Sequence, residues 1–251
     1  MAFTQIQKQI ASVIFTFAVY AYLVNWQVAL LLVISIGFHE YSHLFAARQL
    51  GLKTGGFYLW PFLGGVAFVT EKYKTRMQNA IVALAGPLGG ALLALVTLAA
   101  YKFTGIEFLA TSVVWMCVLN LFNLLPLSFL DGGQTLNTIT YSISRTLGLV
   151  CLTISTVVAV ILLWEFNIVI AILIAFLGVP YLITEYKNWK AYQKGNTYLC
   201  DDSYLNPPQS LTGWEILLVL ISWGVIASSL ITTCLSLNIF PSIGNVHFDA
   251  K

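Results

Sequence analysis

Seven apolar runs divide the chain, and each is long enough to cross a membrane as a helix. A hydrocarbon core about 30 Å thick needs roughly 20 helical residues, and polar or turn-forming residues separate the runs. Lys8 precedes the first run, but no small-x-small cleavage site comes after it, so we interpret this run as a span and not as a signal peptide. The predicted spans are residues 9–25, 27–50, 77–101, 107–125, 145–164, 166–184 and 213–238.

The composition supports this interpretation. Hydrophobic residues make up 59% of the chain and charged residues 9%, and the mean hydropathy is +0.84. A soluble domain carries about 25% charged residues, so this chain has too few charges to cover a water-facing surface. The sequence indicates an integral protein of the lipid bilayer, and nothing in it indicates a nucleic-acid partner.

Basic residues are distributed unevenly between the two sides of the predicted membrane. With a cytoplasmic amino terminus, ten of the 12 Lys and Arg residues lie on the cytoplasmic side, and only Lys102 and Lys251 lie outside. This excess follows the positive-inside rule. We therefore expect seven crossings, a cytoplasmic amino terminus and an external carboxyl terminus, in the plasma membrane of a prokaryote.

The interval after the second run does not fit a helix. Residues 51–76 contain several glycines and Pro61, and the pieces GFYLW and GVAFV are rich in aromatic and branched residues. They predict a β-hairpin at about residues 51–70. Because the hairpin is apolar, we expect it to re-enter the bilayer, where protein must shield its backbone. The predicted fold is an all-α polytopic membrane protein with about seven transmembrane helices and a re-entrant β-hairpin after the second.

Two histidines and a glutamate interrupt the second apolar run in the segment HEYSH, residues 39–43. On a helix, His39 and His43 are one turn apart and project from the same face, and this spacing lets two imidazoles bind one metal ion. Glu40 follows about 100° round the helix, close enough to act as a general base. A charge at mid-bilayer costs about 2.5–3.5 kcal/mol, so a functional site explains these residues better than a polar contact between helices.

A catalytic zinc ion needs a third protein ligand, and Asp131 is the acid nearest the required depth. Glu107 and Glu165 lie at the external ends of apolar runs, and Glu71 lies in an interfacial basic cluster. These three glutamates are therefore poorer candidates.

The chain must leave the helical path before Asp131 for this ligand to reach the histidines. A continuous helix from residue 107 would carry Asp131 about 33 Å along its axis, well below His39. Pro126 cannot continue a helix, and Gly132 and Gly133 are expected to loosen the chain beyond it. The stretch is therefore predicted to unwind and turn Asp131 back towards the core.

Together these motifs resemble the site-2 protease family of intramembrane zinc metalloproteases, whose pattern is HExxH followed downstream by Asn-x-x-Pro-x-x-x-x-Asp-Gly. The family's Gly-Gly pair before its third core helix is echoed by Gly64 and Gly65, and its Ala-Gly-Pro segment by residues 84–90. The resemblance covers roughly residues 27–140. The residues that match the downstream motif in spacing are Asn123, Pro126, Asp131 and Gly132.

The resemblance implies one zinc ion per chain, bound by His39, His43 and Asp131. It implies that Glu40 is the catalytic general base. It also makes Asn123 a catalytic contact for the oxyanion or for the substrate backbone, while capping of the unwound backbone is the plainer interpretation of that residue.

The resemblance further implies a single transmembrane peptidase domain over residues 1–251, with its core at 27–140 and additional helices over 145–238. Gly64 and Gly65 would belong to a substrate-binding hairpin. The PDZ and CBS domains of some family members have no room in this chain.

Two positions depart from the family pattern. Ser128 stands where members often have a second proline, and Gly90 stands where they often have asparagine. Neither position is a metal ligand. The departures put in question the local backbone path and any substrate contact made there.

The leading hypothesis is an intramembrane zinc endopeptidase that cuts within or near a transmembrane helix of another membrane protein, such as a signalling or transcription regulator. Three alternatives stay open. One is a protease related to CAAX processing, whose third ligand is glutamate; another is a transporter of ions or metals. The last is a non-catalytic relative that binds membrane helices.

Overall fold

The computed structural model describes residues 4–62, 64–166, 168–196 and 200–237 of the 251-residue chain. Within these ranges the chain is mostly helical, with one small antiparallel sheet. In chain order the elements are α1 (Gln5–Leu23), α2 (Trp26–Gln49), β1 (Thr54–Trp60), β2 (Gly64–Val69), α3 (Arg76–Thr104), α4 (Glu107–Asn123), α5 (Asp131–Ile143), α6 (Arg145–Phe166), α7 (Ile168–Gln193), α8 (Asp202–Leu205) and α9 (Gly213–Leu235).

Each predicted apolar run coincides with a helix over most of its described residues, which supports a multi-pass membrane protein. Among the described residues, five helices are long and apolar enough to cross a bilayer: α1, α2, α3, α6 and α9. Helix α4 is apolar but has only 17 residues, and most side chains of the predicted span 166–184 lie outside the described part. The predicted number of seven spans is therefore not confirmed, and the predicted external carboxyl terminus lies outside the described residues.

Capping residues define the ends of the helices that carry the site. Asn25 accepts a hydrogen bond from the Val28 N–H at 2.8 Å and starts α2, while Thr75 and Gln78 form a capping box that starts α3. Helix α3 packs against α2, α4, α5 and α9. It is therefore the central helix of the described bundle, and its apolar core with α4 and α9 contains Leu84, Ala91, Val113, Met116, Val219 and Leu230.

The predicted β-hairpin is confirmed. Strands β1 and β2 pair antiparallel, with Leu59 opposite Gly65 and Phe57 opposite Ala67. The turn between them includes Phe62, which has a positive φ of 66°.

Helix α1 covers the outer edge of β1. The N–H of Leu59 donates to the Ser12 hydroxyl at 3.2 Å, and the N–H of Phe62 donates to the Tyr20 hydroxyl at 2.9 Å. Near the start of the strand, the Gly55 carbonyl accepts hydrogen bonds from the side-chain amides of two glutamines of α1. Side chains of α1 therefore satisfy main-chain groups of the apolar hairpin, as the predicted re-entry into the bilayer would require.

The helical path breaks where the sequence predicted it. Helix α4 ends at Asn123, the segment 124–130 is irregular, and α5 begins at Asp131. The expectation that Gly132 and Gly133 loosen the chain was wrong, because both lie in the first turn of α5. The glycines instead let the start of α5 pack closely against the irregular segment. A Cβ on Gly133 would lie 1.9 Å from a main-chain oxygen of that segment.

Candidate active site

Three ligand atoms from two distant parts of the chain converge in the interior. The Nε2 atoms of His39 and His43, on one face of α2, lie 3.0 Å apart. Asp131, the first residue of α5, places Oδ2 3.0 Å from the His39 Nε2 and Oδ1 3.4 Å from the His43 Nε2. All three side chains are buried.

The other ring nitrogens are held by outer contacts. The Nδ1 of His43 lies 2.6 Å from the main-chain oxygen of Val82 in α3. Because a carbonyl only accepts hydrogen bonds, this nitrogen must carry the hydrogen, and in the neutral ring Nε2 keeps its lone pair. The Nδ1 of His39 lies 2.8 Å from the Asn120 Oδ1 in α4.

These contacts leave a cluster of electron-rich atoms that suits a cation. Two Nε2 atoms 3.0 Å apart cannot both carry hydrogen, and the buried Oδ2 of Asp131 accepts no hydrogen bond from the described residues. Ligand atoms about 2.0–2.2 Å from one tetrahedral ion lie roughly 3.3–3.6 Å from one another, close to the separations observed here. Two imidazoles and one carboxylate with a fourth position open are the donor set of a catalytic zinc ion. The three residues therefore fit one zinc ion.

Glu40 is buried beside the ligands and packs against the hairpin. A Cβ on Gly65 would lie 2.3 Å from the Glu40 Cγ, so the absence of a side chain on Gly65 makes room for the glutamate. The backbone N–H of Ala67 faces the Glu40 carboxylate. Gly64 has a φ of 85° and no atom near its Cβ position, so Gly64 shapes the turn whereas Gly65 borders the site.

Helix α3 forms the opposite wall. A Cβ on Gly86 would lie 2.3 Å from the His43 Nε2 and 2.6 Å from the His39 Nε2. The bare backbone of α3 therefore lies directly against both imidazoles, because small residues let membrane helices approach closely.

Asn123 lies at the carboxyl end of α4 and lines the same cavity as the ligands. Its Nδ2 donates to the Leu119 carbonyl at 3.2 Å, a contact within α4 and not with the unwound segment beyond it. An amide nitrogen has two hydrogens, so one remains for a substrate. The catalytic role of Asn123 stays a prediction.

A cavity of about 710 Å³ opens over these residues. Its wall joins the three ligands, Glu40 and Asn123 to strand β2, and aromatic residues such as Tyr20, Phe62, Phe129 and Tyr181 also contribute. Small-molecule pockets have volumes of about 300–1,000 Å³. The cavity is large enough to hold several residues of an extended peptide beside the ligands.

Sequence reasoning missed the two residues that hold the histidines. Asn120 had a detectable signal, because it is a polar side chain within an apolar helix. Val82 contributes only its main-chain oxygen and leaves no signal in the sequence.

Known proteins share the part of the chain that carries the two histidines. Residues 27–114 match the model of peptidase family M50. Curated relatives include the zinc metalloprotease Rip3 of Mycobacterium tuberculosis, 34% identical over 117 residues, and the zinc metalloprotease MJ0392 of Methanocaldococcus jannaschii, 31% identical over 115 residues. The alignments cover 42% and 44% of this chain, but only 29% and 33% of those relatives.

The chain thus spans a third or less of the length of these curated relatives. The family match includes His39, Glu40 and His43 but ends before Asn123 and Asp131, so the assignment of Asp131 as a ligand rests on the convergence seen in the structure. The motifs and the site agree with this match: residues 27–114 are similar to peptidase family M50, the family of the site-2 proteases.

Proposed function

We propose that this protein is a zinc-dependent intramembrane endopeptidase that hydrolyses a peptide bond in or near a transmembrane helix of another membrane protein, as in regulated intramembrane proteolysis. One observation carries the proposal: the ligand atoms of His39, His43 and Asp131 converge in a buried position beside Glu40. The surrounding helices are apolar enough to span a bilayer, so this chemistry would take place within the membrane.

Each residue of the site has a distinct task. Zinc bound by the three ligands would polarise the scissile carbonyl and acidify the attacking water. Glu40 accepts the proton of that water and passes it to the leaving nitrogen. The remaining N–H of Asn123 donates to the developing oxyanion, a contact worth roughly 3 kcal/mol in other hydrolases.

The open edge of β2 is the binding surface that we propose for the substrate backbone. The N–H of Leu59 donates to Ser12 and not to β2, so Leu59 and its partner Gly65 form a non-hydrogen-bonded pair. The main-chain groups of Gly65 therefore point away from β1. Those of Ala67, two residues further on, point the same way, and there the N–H faces the Glu40 carboxylate. Since α1 covers the outer edge of β1, strand addition is directed to β2.

Pairing with β2 addresses a difficulty of the substrate. A transmembrane helix hides its carbonyls in its own hydrogen bonds, so it must unwind before it is cut. An added strand exchanges those bonds for bonds with the main-chain groups of Gly65 and with the Ala67 carbonyl. Because Gly65 packs against Glu40, the paired segment would lie next to the general base.

Replacing Glu40 with glutamine is expected to reduce cleavage by at least about 100-fold while zinc stays bound. The amide has nearly the same shape but cannot accept a proton, and general-base catalysis contributes roughly 10²–10⁴-fold. Elemental analysis and cleavage of a transmembrane helix in liposomes give the two readings. Glu71→Gln, which changes a glutamate outside the cavity, is the control, and wild-type cleavage by Glu40→Gln would refute the proposed function.

We further propose a prokaryotic plasma membrane with the amino terminus in the cytoplasm. Arg48 lies at the end of α2, and Lys74 lies just before α3. The N–H of Gln209, in the connection before α9, donates to the Lys74 carbonyl at 2.9 Å, so this connection lies on the same basic side. The positive-inside rule assigns that side to the cytoplasm. The expected partners are then the lipid bilayer and a transmembrane protein substrate. Because the Glu40→Gln variant should bind this substrate without cutting it, the variant would trap the substrate for identification.

A further inference from the structure

A buried carboxamide lies behind the first ligand histidine. Asn120 of α4 is 1% exposed, and its Oδ1 lies 2.8 Å from the His39 Nδ1, across 81 positions of sequence. Its Nδ2 donates to the Met116 carbonyl at 2.7 Å. Both ends of the amide therefore have partners in the membrane interior.

These contacts determine which nitrogen of His39 carries the hydrogen. The Met116 carbonyl can only accept, so the NH₂ end of Asn120 must face it, and the oxygen end must face His39. The Nδ1 of His39 must then donate its hydrogen to that oxygen. The lone pair of the neutral ring is left on Nε2, the atom that lies 3.0 Å from the Asp131 carboxylate.

A glycine on the neighbouring helix makes room for this amide. A Cβ on Gly90 of α3 would lie 2.0 Å from Oδ1, 2.1 Å from Nδ2 and 2.2 Å from Cγ of Asn120. The amide therefore occupies the space that a side chain at position 90 would take. Its orientation is fixed by the Met116 carbonyl on one side and by the α3 backbone on the other.

We propose that Asn120 is a positioning residue that fixes the tautomer and the ring orientation of His39 for zinc, and that Gly90 provides the notch in which its amide sits. The inference rests on the zinc site of the proposed protease. It concerns metal affinity and not the proton transfer by Glu40, so the two proposals can fail separately. Outer contacts of this kind typically change metal affinity by about 10–100-fold.

The test compares substitutions that keep or remove the acceptor. Asn120→Leu, of similar volume, is expected to weaken zinc binding by about 10–100-fold, measured by competition with a chelator in detergent. Asn120→Asp keeps an oxygen facing the Nδ1–H, and its second oxygen, when protonated, can donate to the Met116 carbonyl as the Nδ2 does; it is therefore expected to lose less zinc affinity than Asn120→Leu. The d–d spectrum of the cobalt-loaded protein should change in the leucine variant only.

A second amide provides the matched control. Asn79 of α3 donates to the Thr138 hydroxyl at 3.2 Å and does not contact the histidines, so Asn79→Leu should bind zinc as the wild type does. If Asn120→Leu is not recovered folded, Asn120→Ala carries the same expectation. Wild-type affinity in these apolar variants, or a loss in Asn120→Asp equal to that in Asn120→Leu, would overturn the inference.

The role of Gly90 is tested by a double-mutant cycle. Gly90→Ala alone should lower both the melting temperature and the zinc affinity, because the new methyl group displaces the amide. In an Asn120→Ala background, Gly90→Ala should change the melting temperature and the zinc affinity little, because no amide occupies the space beside position 90. Additive losses in the double variant would show that Gly90 does not act through Asn120.

Discussion

Asp131→Ala is expected to fold, to lose zinc and to cleave no substrate. The two histidines of α2 would remain as a pair of ligands, and a catalytic zinc ion needs three. Outer contacts alone change metal affinity by about 10–100-fold, so the loss of a direct ligand should cost at least about 100-fold. Elemental analysis after dialysis against a chelator measures the loss, and a cleavage assay on a transmembrane helix accompanies it.

Asp201→Ala is the matched control for this change. The carboxylate of Asp201 accepts a hydrogen bond from Asn188 at 2.9 Å and does not line the cavity. This variant should therefore keep zinc and activity. If Asp131→Ala retained zinc at wild-type stoichiometry, the third ligand would lie elsewhere, as a protease with a glutamate ligand requires.

The features that local sequence determines were predictable. A long, mostly apolar run predicted a span at residues 27–50, and α2 covers Trp26–Gln49. Pro126 predicted a break after the fourth run, and α4 ends three residues before it, at Asn123. In both cases the cause lies within a few residues of its effect, so one sequence is enough to find it.

Helix α5 was not predictable because its stability comes from its setting. Its segment, DGGQTLNTITYSI, is too short and too polar to be identified as a membrane helix. Thr135, Thr138 and Thr140 are buried, yet each hydroxyl donates to a carbonyl four residues earlier in the same helix. Internal bonding of this kind satisfies the hydroxyls, so the helix can pack against α3 and α6 despite its low hydropathy.

Long-range polar contacts explain the remaining failures. Ser12 lies in a predicted span, and α1 is long and apolar enough to cross a bilayer, but the sequence did not indicate that the Ser12 hydroxyl accepts a hydrogen bond from the hairpin. Asn120 lies within an apolar run, and its partner His39 is 81 positions away. Hydropathy shows that such residues are polar, but it does not predict which group each side chain contacts in the folded protein. The departure at Gly90 could be seen in the sequence, but its consequence for Asn120 could not.

Gly86→Ala is expected to abolish zinc binding, although alanine is the better helix former by about 1 kcal/mol. The new Cβ would lie 2.3 Å from the His43 Nε2 and 2.6 Å from the His39 Nε2, far inside contact distance. Neither ring can retreat without breaking its outer hydrogen bond, to the main chain of α3 for His43 and to α4 for His39. To relieve the clash, a ligand side chain must rotate or α2 must move away from α3. Either change moves the ligand atoms too far apart to bind one zinc ion.

Gly37→Ala separates the clash from the general effect of alanine in a helix. Gly37 lies on α2, two residues before His39, and has no atom within 4 Å of its Cβ position. Its variant should therefore bind zinc normally. Thermal unfolding with and without zinc distinguishes the two, because zinc at about 100 times its dissociation constant stabilises a binding-competent protein by about 2.7 kcal/mol. We expect this gain in Gly37→Ala and none in Gly86→Ala; an equal gain in both would mean that α3 can move aside, and that the wall against the imidazoles is not rigid.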